Sequence, residues 1–99
     1  MHLVSMPSLL AFASKHSLVQ QALQTWCDEV RRAKWTQPAD IKAQFATASI
    51  LKNRRVVFNL KGNDYRVVVA VAYNTGFVFV KFIGTHAEYD DINAETVEN

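Results

Sequence analysis

Apolar residues recur every three or four positions through the first third of the chain, then switch to short Val-, Phe- and Tyr-rich runs in the second half. Ser5 followed by Pro7 has the form of a helix start, because Ser caps free backbone amides and Pro fits a first turn. Leu9, Leu10 and Ala13 follow at helical spacing. Ser17 with Gln20 three residues on reads as a capping box opening a second helix. Val19, Ala22, Leu23, Trp26, Val30 and Ala33 continue its apolar stripe, and Arg31, Arg32 and Lys34 complement the negative end of the helix dipole. Pro38 stops or restarts the chain, and Ala39 to Phe45 predicts a short further helix.

Three runs then predict strands: Val56 to Leu60, Tyr65 to Asn74 and Phe77 to Gly84. Lys61-Gly62-Asn63-Asp64 predicts a four-residue loop in which Gly62 and Asn63 supply positive φ, and Thr75-Gly76 predicts a two-residue hairpin turn. His2 to Val4 is a candidate edge strand, and His86 to Ile92 returns to helix or turn with Thr85 as its cap. The expected architecture is α+β, with two N-terminal helices and a short one packed on a small, mainly antiparallel sheet. One domain spans residues 1–99, with an acidic tail from about 93 as a candidate flexible end.

Tight turns set the register. A four-residue loop pairs Leu60 with Tyr65, hence Asn59 with Arg66 and Arg55 with Ala70. A two-residue turn pairs Asn74 with Phe77, hence Ala70 with Lys81 and Arg66 with Thr85. Side chains alternate between faces, so one face carries Val56, Phe58, Leu60, Tyr65, Val67, Val69, Val71, Tyr73, Val78, Val80 and Phe82 and is turned to the helices. The other carries Arg55, Val57, Asn59, Arg66, Val68, Ala70, Ala72, Phe79, Lys81 and Ile83, a shallow cationic surface. These strands offer Arg55, Arg66 and Lys81 no counter-charge, which suits either an anionic ligand or a polar side turned to water.

Composition narrows the class. Ninety-nine residues, nearly half of them apolar, suffice for one modest core. No run approaches the roughly 18 apolar residues of a membrane span, and the opening Met1-His2-Leu3-Val4-Ser5 lacks the basic start and apolar block of a signal peptide. The single Cys27 excludes an internal disulfide and fits a reducing compartment, so a cytoplasmic protein is expected. From Arg31 to Lys81, ten Lys or Arg residues stand against two acids, a local charge of +8, whereas His86 to Asn99 carries five acids and no Lys or Arg. A basic middle fits a polyanion binder and equally a lysine-rich solvated surface; the acidic end can neutralise part of it. No His, Cys and acid cluster has metal-ligand spacing, and neither metal nor cofactor is expected.

Val57-Phe58-Asn59, Gly62-Asn63-Asp64-Tyr65-Arg66-Val67-Val68 and Gly84-Thr85-His86-Ala87-Glu88-Tyr89-Asp90 stand in the order and spacing of the HigB toxin family. The chain resembles that family over most of its length, including the Met1-His2 opening and the Trp35/Pro38 region. The resemblance implies a RelE/ParE-like fold, a toxin that cleaves messenger RNA, often on the ribosome, and a neighbouring HigA-like antitoxin with a helix-turn-helix domain.

Cleaving RNA without a metal uses the ribose 2′-hydroxyl against the adjacent phosphate and needs a base, an acid and cations around the transition state. Arg66 is the first candidate for gripping the phosphate, since its fork binds two oxygens. Lys81 is a candidate clamp or proton-transfer group, His86 a candidate acid or base, and Tyr89 a base-stacking or hydrogen-bonding group. Arg55, Asn59, Lys61 and Asn63 are candidate RNA contacts. His86 and Tyr89 serve equally well as turn and core residues, and Asp64 and Asp90 read as local turn or cap groups. Trp26, Trp35 and Cys27 read as core, with Trp35 the more inclined of the two tryptophans to partial exposure, and His2 and His16 read as surface residues rather than ligands. Two other classes remain open on the same fold: a ParE-like inhibitor of a protein such as DNA gyrase, and an RNA-binding module without catalysis.

Overall fold

The computed structural model describes residues 1–4 and 6–98, so the expected cap Ser5 lies outside the described residues. The elements run β1 (His2–Val4), α1 (Met6–Lys15), a 3-10 turn (Ser17–Val19), α2 (Gln20–Arg32), α3 (Pro38–Gln44), β2 (Ser49–Ile50), β3 (Arg55–Leu60), β4 (Tyr65–Ala72), β5 (Phe77–Thr85) and α4 (His86–Asp90). The strands form one sheet in the order β1-β5-β4-β3-β2. Every pairing is antiparallel except the edge strand β1, which lies parallel to β5. This is the expected α+β architecture, with the short strand β2 added at the far edge.

The helices bury one face of the sheet. Val19, Leu23, Trp26, Cys27 and Val30 follow one another along α2 and its preceding turn, and all are buried. They pack with Leu9 of α1 and Ile41 of α3 on Val56, Phe58, Leu60, Val67, Val69, Val71, Val78 and Val80. Phe58 is the hub: its ring lies 5.4 Å from Trp26, 6.1 Å from Trp35 and 5.0 Å from Phe45. Trp35 is core like Trp26, only 3% exposed. Phe45, at the end of α3, closes over it, and its indole N–H donates to Gln44 Oε1 at 3.0 Å. His16 is half-buried, with its ring stacked on Phe12 at 4.1 Å.

The Ser17–Gln20 capping box does not form. A 3-10 turn occupies Ser17–Val19, α2 starts only at Gln20, and the Gln20 amide donates to the Ala13 carbonyl instead. The β3–β4 register matches expectation, with Arg55 on Ala70, Asn59 on Arg66 and Leu60 on Tyr65. In its loop the positive φ angles fall on Lys61 and Gly62, not on Asn63.

The β4–β5 register differs twice. Ala72 pairs with Phe77 across a four-residue loop, 73–76, in place of the two-residue turn. A type I′ turn on Thr75-Gly76 demands positive φ at both positions, which a β-branched Thr resists; in the longer loop Gly76 alone adopts it, at 79°. Ala70 therefore faces Phe79, not Lys81. A bulge then interrupts the ladder: Val69 pairs with Val80 and Val68 with Phe82, leaving Lys81 as the extra residue, and Arg66 faces Gly84, not Thr85. Beyond the bulge the alternation is shifted by one. Ile83 joins the helix-side core and Phe82 turns to the opposite face, the reverse of the expected assignment.

That opposite face is not bare. After α4 the chain returns across it, and Val57, Val68 and Ala94 form a second, smaller core with Leu51, Phe82, Tyr89, Ile92 and Val97. With both faces covered, Val67, Val68 and Val69 of the central strand are all fully buried. Phe58→Ala should lower unfolding free energy by about 3–5 kcal/mol, because three aromatic neighbours cannot collapse into the space. Chemical denaturation checks this; a cost below about 1 kcal/mol would mean that the aromatic hub does not organise the core.

Candidate active site

The second face carries the candidate residues in two groups. The first lies at the row Asn59–Arg66–Gly84 across β3, β4 and β5. Arg66 Nη1 donates to the Asn63 carbonyl at 3.0 Å, and its guanidinium carbon lies 5.7 Å from the centre of the Tyr89 ring. Among the described residues no carboxylate pairs with Arg66. Gly84 keeps the third position of the row small. A Cβ there would fall 2.6 Å from the tip of the Phe82 ring and 3.1 Å from Glu88 Oε1.

Local chemistry fixes α4 beside this row. Thr85 is the expected cap and forms a complete capping box: its hydroxyl accepts from the Glu88 amide at 3.2 Å, and Glu88 Oε1 accepts from the Thr85 amide at 2.8 Å. Those hydrogen bonds, the Thr85 amide first, hold the Glu88 carboxyl below the usual carboxylate range. The His86 amide donates to the Asp64 carbonyl at 3.0 Å, tying the start of α4 to the β3–β4 loop. The His86 imidazole is half exposed, with Nδ1 3.2 Å from Asp90 Oδ2. Asp90 thus orients the imidazole from its Nδ1 side. Tyr89 packs into the second core, as its structural reading expected, and its ring also faces Arg66.

The second group centres on a residue that the sequence did not single out. Glu98 Oε2 accepts from Arg55 Nη2 and Glu98 Oε1 from Lys81 Nζ, both at 2.8 Å. Arg55 Nη1 donates in addition to the Val97 carbonyl at 2.6 Å, and the Arg55 side chain is only 7% exposed. Arg66 and Lys81 do share a face, as expected, but Arg55 is roofed over by the chain's own end, and its counter-charge comes from there and not from the strands. Arg55 lies on the row of Ala70, four residues along β4 from Arg66, a separation of about 13 Å. Lys81 lies nearer, in the bulge between the rows of Val68 and Val69.

The remaining candidates are placed singly. The Asn59 amide donates to the Thr47 carbonyl at 3.2 Å beside Arg66. Asn63 is exposed and acts on Arg66 through its carbonyl. Lys61 is exposed in the loop and lines a shallow cleft with Thr25 and Glu29 of α2. Burial pushes the Cys27 thiol up, which makes it a poor nucleophile and fits a packing role. Among the described residues no group of three His, Cys, Asp or Glu side chains comes together as a metal site. Among the described residues no helix is long and apolar enough to cross a membrane.

A signal for the covered face was present in the pattern. Val57, Val68 and Phe79 are out of place on a solvated surface, and Ile92, Ala94 and Val97 are out of place in a free acidic tail.

Residues 19–92 match the HigB_toxin family model, described as the RelE-like toxic component of a toxin-antitoxin system. The chain belongs to the HigB toxin family. It is 28% identical over 96 residues to the mRNA interferase toxin HigB of Escherichia coli, an alignment covering 95% of this chain and 92% of the relative. The mRNA interferase HigB of Shigella flexneri gives the same figures. That of Escherichia coli O6:H1 is 27% identical, over all of this chain and 98% of its own. The HigB match spans both sheet hairpins and α4, so the Arg66–Tyr89–His86 group lies inside the family region and Glu98 lies outside it.

Lys81, then Arg55, holds the Glu98 carboxyl below the usual carboxylate range. A depressed carboxylate contributes stability above the ordinary glutamate value, about 4.3, and loses it as pH falls through the lowered one. Thermal melts from pH 6 down to about pH 3 should therefore fall less steeply for Glu98→Gln than for the wild type. Parallel curves would mean that the Glu98 bridges add nothing in solution.

Proposed function

We propose that this HigB-family chain is an endoribonuclease that cleaves messenger RNA on the translating ribosome in the cytoplasm and is silenced by a HigA-like helix-turn-helix antitoxin. The relatives named mRNA interferase support the substrate class. The observation that carries the chemistry is an arginine with no carboxylate partner among the described residues, Arg66, seated under Tyr89 and next to the helix turn that bears His86.

In this reading the 2′-oxygen of the nucleotide attacks its neighbouring phosphorus. The O2′–P bond forms and the P–O5′ bond breaks, leaving a 2′,3′-cyclic phosphate and a 5′-hydroxyl. The 2′-hydroxyl proton leaves to a base and the departing 5′-oxygen takes a proton from an acid. His86, oriented by Asp90, serves one of these transfers. Arg66 lays two N–H groups on the phosphate oxygens as charge builds there. Tyr89 stacks a base or donates a hydrogen bond beside it. Asn59, Lys61 and the Asn63 loop guide the strand around this point. Lys81, its ammonium already matched to an oxyanion in Glu98, fits a phosphate clamp better than a proton carrier.

Arg66→Ala should lower cleavage about 100- to 1,000-fold and relieve growth arrest while the protein stays folded. Arg66→Lys should recover little, because a point charge lacks the fork. The check is to map 5′ ends of cellular RNA after induction, with circular dichroism of each variant. New cuts within translated messages that vanish in Arg66→Ala support the nuclease. DNA damage without RNA cuts would assign the toxin to gyrase instead, and salt-dependent RNA binding without cuts would leave only a binding module.

A further inference from the structure

Glu98 is largely solvent-exposed, 65% by side chain, yet both of its oxygens are committed to cations from different strands at 2.8 Å. A single exposed ion pair contributes little. Here two cations converge on one anion, and one of them, Arg55, sits too deep to be left without a partner. Two non-bridging oxygens of a phosphodiester match the same pair of donors. The Glu98 carboxylate stands where such a phosphate would be held.

The space around it has the matching chemistry. A cavity of about 360 Å³ opens between α1 and β5 beside Lys81 and Glu98, lined also by Lys15, Phe12 and Phe82. Its volume is that of a small-ligand pocket. Lys15 adds a further cation at the rim, and Phe12 and Phe82 supply apolar walls of the kind on which bases rest. Of the two donors, Arg55 is about 13 Å along β4 from Arg66, while Phe82 and Ile83 of the cavity wall pair with Val68 and Val67, so the phosphate held here is a neighbour of the one being cleaved.

We propose that Arg55, Lys81 and the adjoining α1–β5 cavity form a second phosphate subsite for an RNA strand, which Glu98 occupies as an internal anion until a phosphodiester displaces it. The inference rests on the RNA reading above. Exchanging one anion for another keeps Arg55 paired throughout, so no buried charge is bared. The tethered carboxylate competes from within the chain at an effective concentration of order millimolar, and it weakens RNA binding by the fraction of time that it holds the cations.

The test is the affinity of a short 2′-O-methyl oligoribonucleotide, which lacks the attacking hydroxyl and is not cut, measured by fluorescence anisotropy. Glu98→Gln should bind about five- to tenfold tighter than the wild type. Glu95→Gln, which removes the same charge from the same segment, should stay within about twofold. Adding Lys81→Ala to Glu98→Gln should abolish the gain. In the wild-type protein, inorganic pyrophosphate should shift the amide resonances of Arg55, Lys81 and Val97 together, a readout that needs no substitution. Glu98→Gln binding no tighter than wild type, a matching gain in Glu95→Gln, or pyrophosphate shifts confined to the surroundings of Arg66 each overturn the subsite. If Arg66→Ala weakens binding and Glu98→Gln changes nothing, the subsite alone fails. If no variant binds the oligonucleotide, the RNA reading fails with it.

Discussion

A sheet that is apolar at the centre of both faces cannot leave either one to water. In this chain the constraint falls on β4, whose Val67, Val68 and Val69 are buried in succession. The helices satisfy one side. On the other, Val57 and Val68 require a cover, and only the segment after β5 remains to provide it, through Tyr89, Ile92, Ala94 and Val97. Much else follows from that return. It buries Arg55, brings Glu98 to Lys81, and sets Tyr89 over Arg66.

The bulge at Lys81 makes the cover possible. An uninterrupted ladder would place Phe82 with the helices and Ile83 outside, where a smaller residue would meet the returning chain. One extra residue reverses them, gives the second core an aromatic wall, and places Phe82 against the glycine that faces Arg66. Bulges commonly re-aim side chains next to functional sites. Here the re-aiming also brings Phe82 and Ile83, together with Lys81, to the cavity beside α1.

The consequence is a division among the cations. Arg55 and Lys81 are matched by a carboxylate within the chain, whereas Arg66 rests on a carbonyl and a ring and keeps its charge available. Arg66 and Tyr89, with the short helix that bears His86, fall within the family match. Arg55 and Lys81 fall within it as well; their partner Glu98 lies beyond it.

The residues by themselves determined most of the elements, the β3–β4 register and the shared face of Arg55, Asn59, Arg66 and Lys81. Each depends on short-range facts: apolar period, a four-residue loop that admits positive φ, and the two-fold alternation of a strand. The Thr85 cap was legible for the same reason. The β4–β5 register was not, because a single bulge shifts every later side chain by one position and no local propensity marks it. The partner of Arg55 and Lys81 was not legible either. Glu98 is distant in sequence from both, and it reaches them only because two apolar stretches found each other in three dimensions. Sequence determined which groups can carry charge; folding decided which of those charges are already spoken for.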